Sequence, residues 1–201
     1  MEALDLALAG GVTSAPEEAL DPLVTALAAL SGLMQESMIR GIGWRFMELG
    51  KRIERALQMI KTVRCLVTPV TGEGDQSTLL TALLVSMEVL ITYRRRGRQR
   101  RGIELGLELV MLDGSNPRSL LFQLERLQQH LAALPKADMK GGELEEEDRA
   151  LLEAVTSLRL SRLPHLLETT SATREDMDQL LLQLETLLKN FNQIISDKHF
   201  D

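Results

Sequence analysis

Apolar residues return every three or four positions along most of this chain, and the spacing predicts a series of helices. The clearest series is Phe46, Leu49, Ile53, Leu57, Ile60, Val63 and Val67, which falls on one arc at the helical period and predicts a helix from about Trp44 to Val67. Upstream, Leu23, Leu27, Leu30 and Met34 predict a helix that starts at Pro16, runs to about Ile39 and is stopped by Gly41 and Gly43. Downstream, Thr68-Pro69 and the TGEGD loop separate the second helix from a third. This one starts near Asp75 or Ser77 and continues through Leu79, Leu80, Leu83, Leu84, Met87, Leu90 and Ile91 to Tyr93.

A short apolar stretch, Ile103 to Leu112, follows. Asn116-Pro117 then reads as a cap and first turn for a helix with Leu120, Leu124, Leu127, Leu131 and Leu134 at heptad-like spacing. Pro135 to Gly142 reads as a linker. The acidic run Glu143 to Asp148 opens a helix whose Leu144, Leu151, Leu152, Val155 and Leu158 should face inwards. Pro164 interrupts the pattern. Thr173 with Asp176 reads as a capping-box variant before a last helix carrying Met177, Leu180, Leu184, Leu187, Phe191, Ile194 and Ile195. No stretch alternates with the period of a strand. The expected fold is all-α, an antiparallel bundle of six to seven helices over residues 14–200, preceded by a linker or leftover at 1–13.

Composition fits a Leu-packed bundle: 201 residues, one Trp, one Tyr and four Phe. No apolar run has the length of a membrane-spanning helix, so no membrane partner is expected. With 23 Lys and Arg against 29 Asp and Glu, the net charge of −6 argues against nucleic acid as a partner. The single Cys65 fits a reducing compartment, and a cytoplasmic location is the expectation.

Two polar stripes run beside the apolar faces. On a wheel of about 100° per residue, Arg45, Glu48, Arg52 and Arg55 span roughly 80° at one shoulder of the 44–67 helix, while Glu54 lies on the other flank. Charges at the shoulder of a core stripe are partly buried and need partners, or else they are ordinary surface pairs. The second stripe is Ser119, Gln123, Arg126 and His130, alongside the Leu face of the Asn116 helix. The two stripes could meet inside the bundle, or each could face solvent. His130 is more readily a structural hydrogen-bonder than a base, because no Ser or Cys nucleophile stands near it in sequence.

The run RRRGRQRR at 94–101 could bind phosphate, contact an acidic partner, or pair with the chain's own acidic run at 143–148. Phosphate-loop fingerprints, zinc-ligand spacings and the Glu-x-x-His di-iron motif are absent from the sequence, so neither a metal site nor a cofactor is expected.

The segment ESMIRGIGWRFMELGKRIERA at 36–56 resembles the bacterial alpha-E family, a helical domain named for a Glu-Arg motif, here Glu54-Arg55. Three further segments fit in the same order: ITYRRR at 91–96, LDGSNPRSLLFQLERLQQHLAALP at 112–135 and IISDKHF at 194–200. The family usually carries the motif twice, and this chain resembles the C-terminal part of that tandem. The resemblance implies association with circularly permuted ATP-grasp proteins, with transglutaminase-like and proteasome-like peptidase proteins as frequent neighbours.

The implied role is in peptide synthesis or modification by carboxylate–amine ligation. The domain would be an accessory or interaction module with no catalytic activity of its own. The alternative is a domain that binds or transforms a carboxylate- or phosphate-bearing substrate. Candidate substrate- or partner-binding residues are Arg45, Arg52, Arg55, Tyr93, Arg94, Arg95, Asn116, Arg118, Gln123 and Arg126. Glu54, Glu48 and His130 are the candidate catalytic groups.

Overall fold

The structure is a computed structural model and describes residues 16–97, 102–135, 143–169 and 171–200. The chain divides into two compact units, residues 1–44 and 45–201. In the first, α1 spans Pro16–Ser37 as the Leu spacing predicts. Its Leu23, Leu27 and Leu30 line one face and remain exposed. After the turn at Ile39–Gly41, the Arg40 guanidinium lies over the Trp44 ring, 4.6 Å from its centroid. The expected segment at 1–13 lies outside the described residues.

The second unit is an all-α antiparallel bundle among its described residues. Four long helices form a ring: α2 (Ile42–Val67), α6 (Leu120–Ala132), α7 (Glu146–Leu160) and α9 (Glu175–His199). Short elements fill two of the connections. Between α2 and α6 lie α3 (Glu73–Ser86), α4 (Leu90–Arg96), α5 (Ile103–Leu107) and a π-helical turn at Glu108–Leu112. Between α7 and α9 lies α8 (Leu163–Leu166).

Ion pairs and ring contacts give the directions. Arg64 near the end of α2 reaches Asp178 at the start of α9 at 2.8 Å, while Phe46 near the start of α2 packs on His199 and Phe200. Lys198 at the end of α9 reaches Glu145 and Glu147 at the start of α7, at 2.6 and 2.5 Å. Arg159 at the end of α7 reaches Glu125 in the first half of α6 at 2.7 Å. Neighbouring helices of the ring are therefore antiparallel. The core between them is Leu-rich, with Leu49, Ile60, Leu124, Leu127, Leu151, Leu184 and Phe191 essentially inaccessible.

Several local expectations change. The third predicted helix is broken: α3 and α4 meet at 117°, with Glu88 in the left-handed region at φ 53°. The break puts Val89 in the core and leaves Ile91 exposed. Asn116 does not cap the next helix. Its Oδ1 accepts the Arg118 N–H in a local turn and its Nδ2 donates to Leu109 O, while Ser119 Oγ caps α6 by accepting the Phe122 N–H at 3.1 Å.

The Thr173–Asp176 capping box does not form, and Arg174 stands at the α9 N-cap position without a side-chain cap. Leu144 and Leu152 are half-exposed, and Glu147 is buried in their stead against Lys198. The acidic run thus meets Lys198, while Arg96 pairs with Asp113 at 2.7 Å. The remainder of the Arg run, residues 98–101, lies outside the described residues.

Candidate functional site

The two polar stripes meet. Glu48 on α2 is buried, with its side chain 2 % exposed. Its carboxylate accepts from Lys51 Nζ at 2.8 Å and Arg52 Nη2 at 3.2 Å, the one-turn neighbours that helical spacing provides. Arg52 extends across to α6, where its Nη1 donates to Gln123 Oε1 at 3.1 Å. Gln123 is fully buried, and its Nε2 donates back to Pro117 O at 2.5 Å. Ser119, also fully buried, donates from Oγ to Asp113 O at 2.6 Å. Asp113 in turn accepts from Arg96, from the Ser115 N–H and from Ser115 Oγ. One polar chain therefore runs from α2 through α6 to the end of α4.

The electrostatics follow from this wiring. Burial pushes the Glu48 carboxyl up, but the hydrogen bonds and charges of Lys51 and Arg52 outweigh it, and the group lies below the ordinary Glu range. Asp113 behaves alike: burial raises it, the Ser115 and Arg96 hydrogen bonds win, and its pKa is lowered. His130 is buried on α6 and its pKa is lowered. Burial is the main cause, Glu48 opposes it, and Arg52, Arg45 and Arg126 add to it. The candidate base is thus held neutral near pH 7, inside the charge field of the seam.

The other candidates are scattered over the bundle. Arg126 is exposed, lies over the Phe122 ring at 4.8 Å and donates to Gln129 at 2.6 Å. Tyr93 and Arg94 stand away from the seam, lining a cavity of about 540 Å³ with Glu73, Gln76 and Leu80. There the Tyr93 hydroxyl accepts the Gly102 N–H at 3.0 Å and donates to Gly102 O at 3.3 Å. Arg95 is exposed on α4. Arg45 is half-buried, and Glu54 is exposed on the opposite flank of α2.

Arg55 is also solvent-exposed, yet it lines a concavity of about 370 Å³ with Gln58, Met59, Thr62, Ser86, Met87 and Arg118. Burial by these walls, together with the Arg52 and Arg118 charges, lowers its pKa. The Glu54-Arg55 dipeptide therefore points its two charges to different surroundings.

Some groups were not singled out by sequence reasoning. Glu88 pairs with Arg118 at 2.5 Å. Arg174 is 4 % exposed, and its Nη1 donates to the carbonyls of Val67 and Pro69 beyond the end of α2. A second Glu-Arg dipeptide, Glu125-Arg126, sits on α6 in plain view of the sequence.

A four-helix ring with a charged seam between its Glu-Arg helix and its Leu-rich partner defines a helical-domain class. The chain belongs to the Alpha-E family, described as a predicted alpha-helical domain with a conserved ER motif, whose model matches residues 1–200. Two similar relatives are uncharacterised proteins of Mycobacterium tuberculosis and Mycobacterium bovis, each 33 % identical over 187 residues. The alignment covers 92 % of this chain and 20 % of each relative, so the chain spans about a fifth of their length. No solved structure gives a significant match.

Proposed function

We propose that this domain is a cytoplasmic, non-catalytic accessory module of an ATP-grasp-associated peptide synthesis or modification system. It docks on a carboxylate–amine ligase or holds that ligase's substrate. One observation carries this reading: Glu48, Gln123 and Ser119 of the seam are committed to structural partners, and several arginines beside them face outwards. Glu48 is buried between Lys51 and Arg52, and Gln123 and Ser119 bond to backbone carbonyls. Arg55, Arg95, Arg118 and Arg126 remain on the surface. Exposed arginines suit an acidic or carboxylate-bearing partner, because the guanidinium fork matches the carboxylate.

Co-purification with the ATP-grasp ligase, and with transglutaminase-like or proteasome-like peptidase neighbours, tests the proposal. The expected result is a complex that Arg95→Glu with Arg126→Glu weakens. Failure to bind any of these proteins sinks the docking form of the proposal.

The cavity beside Arg55 favours a second reading, in which the Glu-Arg helix binds or transforms a carboxylate- or phosphate-bearing substrate. Glu54→Gln and Arg55→Lys, assayed in the complete ligase system, discriminate. Unchanged turnover rules out a role for these two residues in the reaction.

A further inference from the structure

The cavity beside Arg55 has a chemically selective wall. Arg55 and Arg118 bring two guanidiniums to it, from α2 and from the turn before α6, and no acid stands among the described residues that line it, although Glu88 pairs with Arg118. Thr62 Oγ1 already donates to Gln58 O at 2.8 Å, and Ser86 Oγ to Leu83 O at 2.8 Å. Each hydroxyl has spent its only proton within its own helix, so what it offers a ligand is lone pairs. Met59 and Met87, 3 % and 9 % exposed, supply apolar, adaptable surface. The wall therefore combines paired cationic donors, neutral acceptors and a thioether patch.

A phosphate can donate to the acceptors only through a P–OH and has nothing to lay on the methionines, so it uses this wall in part. A peptide carboxyl terminus uses all three. Its carboxylate meets the guanidiniums, a backbone N–H meets Thr62 or Ser86, and an apolar last side chain rests on the methionines. The volume of about 370 Å³ suits one or two residues.

Glu88 completes the picture. It follows Met87 directly, is two-thirds exposed, and holds its carboxylate 2.5 Å from Arg118 Nη2. It holds the Arg118 guanidinium as a ligand carboxylate would. An exposed pair of this kind contributes little and is readily displaced.

We propose that the Arg55–Arg118 cavity binds the carboxyl-terminal residue of a peptide with an apolar last side chain, and that Glu88 is the internal competitor for Arg118. The proposal rests on the substrate-holding form of the function above and names the chemical class of that substrate.

The test labels the nine methionines with 13C-methyl groups and titrates the whole chain with acetyl-Ala-Leu carrying a free carboxylate. The same peptide as its C-terminal amide, and inorganic phosphate, are the comparison arms. Saturable shifts of the Met59 and Met87 methyls by the free acid alone are expected. Arg55→Met or Arg118→Met weakens binding at least tenfold, and Glu88→Gln tightens it severalfold.

Absence of shifts with the acid overturns the proposal. So do equal shifts with the amide, or phosphate binding as well as the peptide. Glu88→Gln alters only a surface group, so its result stands even where an arginine variant misfolds. No ligase is present in the titration. A negative result therefore leaves docking intact, and a failed docking experiment leaves a positive titration standing.

Discussion

Glu48 and Glu54 lie six positions apart on α2, and the structure gives them opposite fates. Replacing Glu48 by Gln removes a charge that is almost wholly buried and answers both Lys51 and Arg52. Breaking a fully buried pair from one side costs about 3–5 kcal/mol. Here the partners partly recover water, since Lys51 is 40 % and Arg52 21 % exposed, and Arg52 keeps its bond to Gln123. The discounted expectation is about 2 kcal/mol, or roughly 4–8 °C in Tm for a domain of this size.

The pH dependence has a fixed sign. The folded-state pKa of Glu48 is depressed, so its stabilisation is full above the unfolded value of 4.5 and is lost as pH falls through the lower folded value. Urea unfolding followed by circular dichroism should show the deficit at pH 7 and see it close below pH 4.5. Glu54→Gln, at an exposed site, should stay within about 0.5 kcal/mol of the parent. An equal effect of the two substitutions, or a Glu48→Gln deficit unchanged in acid, would refute the burial argument.

Three further outcomes are expected. Gln123→Leu, which strands Arg52 Nη1 and the Pro117 carbonyl, should cost about 1–3 kcal/mol by urea unfolding. His130 should titrate below the ordinary histidine value by NMR. Its depressed pKa makes stability fall as pH drops from about 6.5 towards the folded value, and His130→Gln should flatten that slope. Arg174→Ala should cost about 2–3 kcal/mol, because two carbonyls at the end of α2 lose a charged donor. Hydrogen exchange at the α2–α9 contact reads the effect.

The sequence carried the parts of this molecule that repeat along one helix. The Leu series of α6 is buried throughout, and of the stripe beside it Ser119, Gln123 and His130 are buried with it while Arg126 turns out to solvent. The break at residues 87–89 was illegible. The run from Leu83 to Ile91 has neither Gly nor Pro, and Glu88 adopts φ 53° beside a Val89 that is drawn into the core.

Arg174 was hidden for another reason. Arginine is assigned to water by its type, and only the approach of α9 to the end of α2 gives it carbonyls to bond. The cavity was invisible because Arg55 and Arg118 belong to different elements. They converge where the chain turns after Ser86, and no spacing rule encodes that meeting.

The packing of Phe46 on His199 and Phe200, with ring centroids 4.9 and 5.1 Å apart, has an architectural consequence. The first turn of α2 and the last turn of α9 therefore lie together on this bundle. A bundle whose first and last long helices meet in this way can be carried on a surface loop of a larger host without prising the loop's ends apart. Lengthened or shortened flanks would then change how far it stands from its host while leaving its interior untouched.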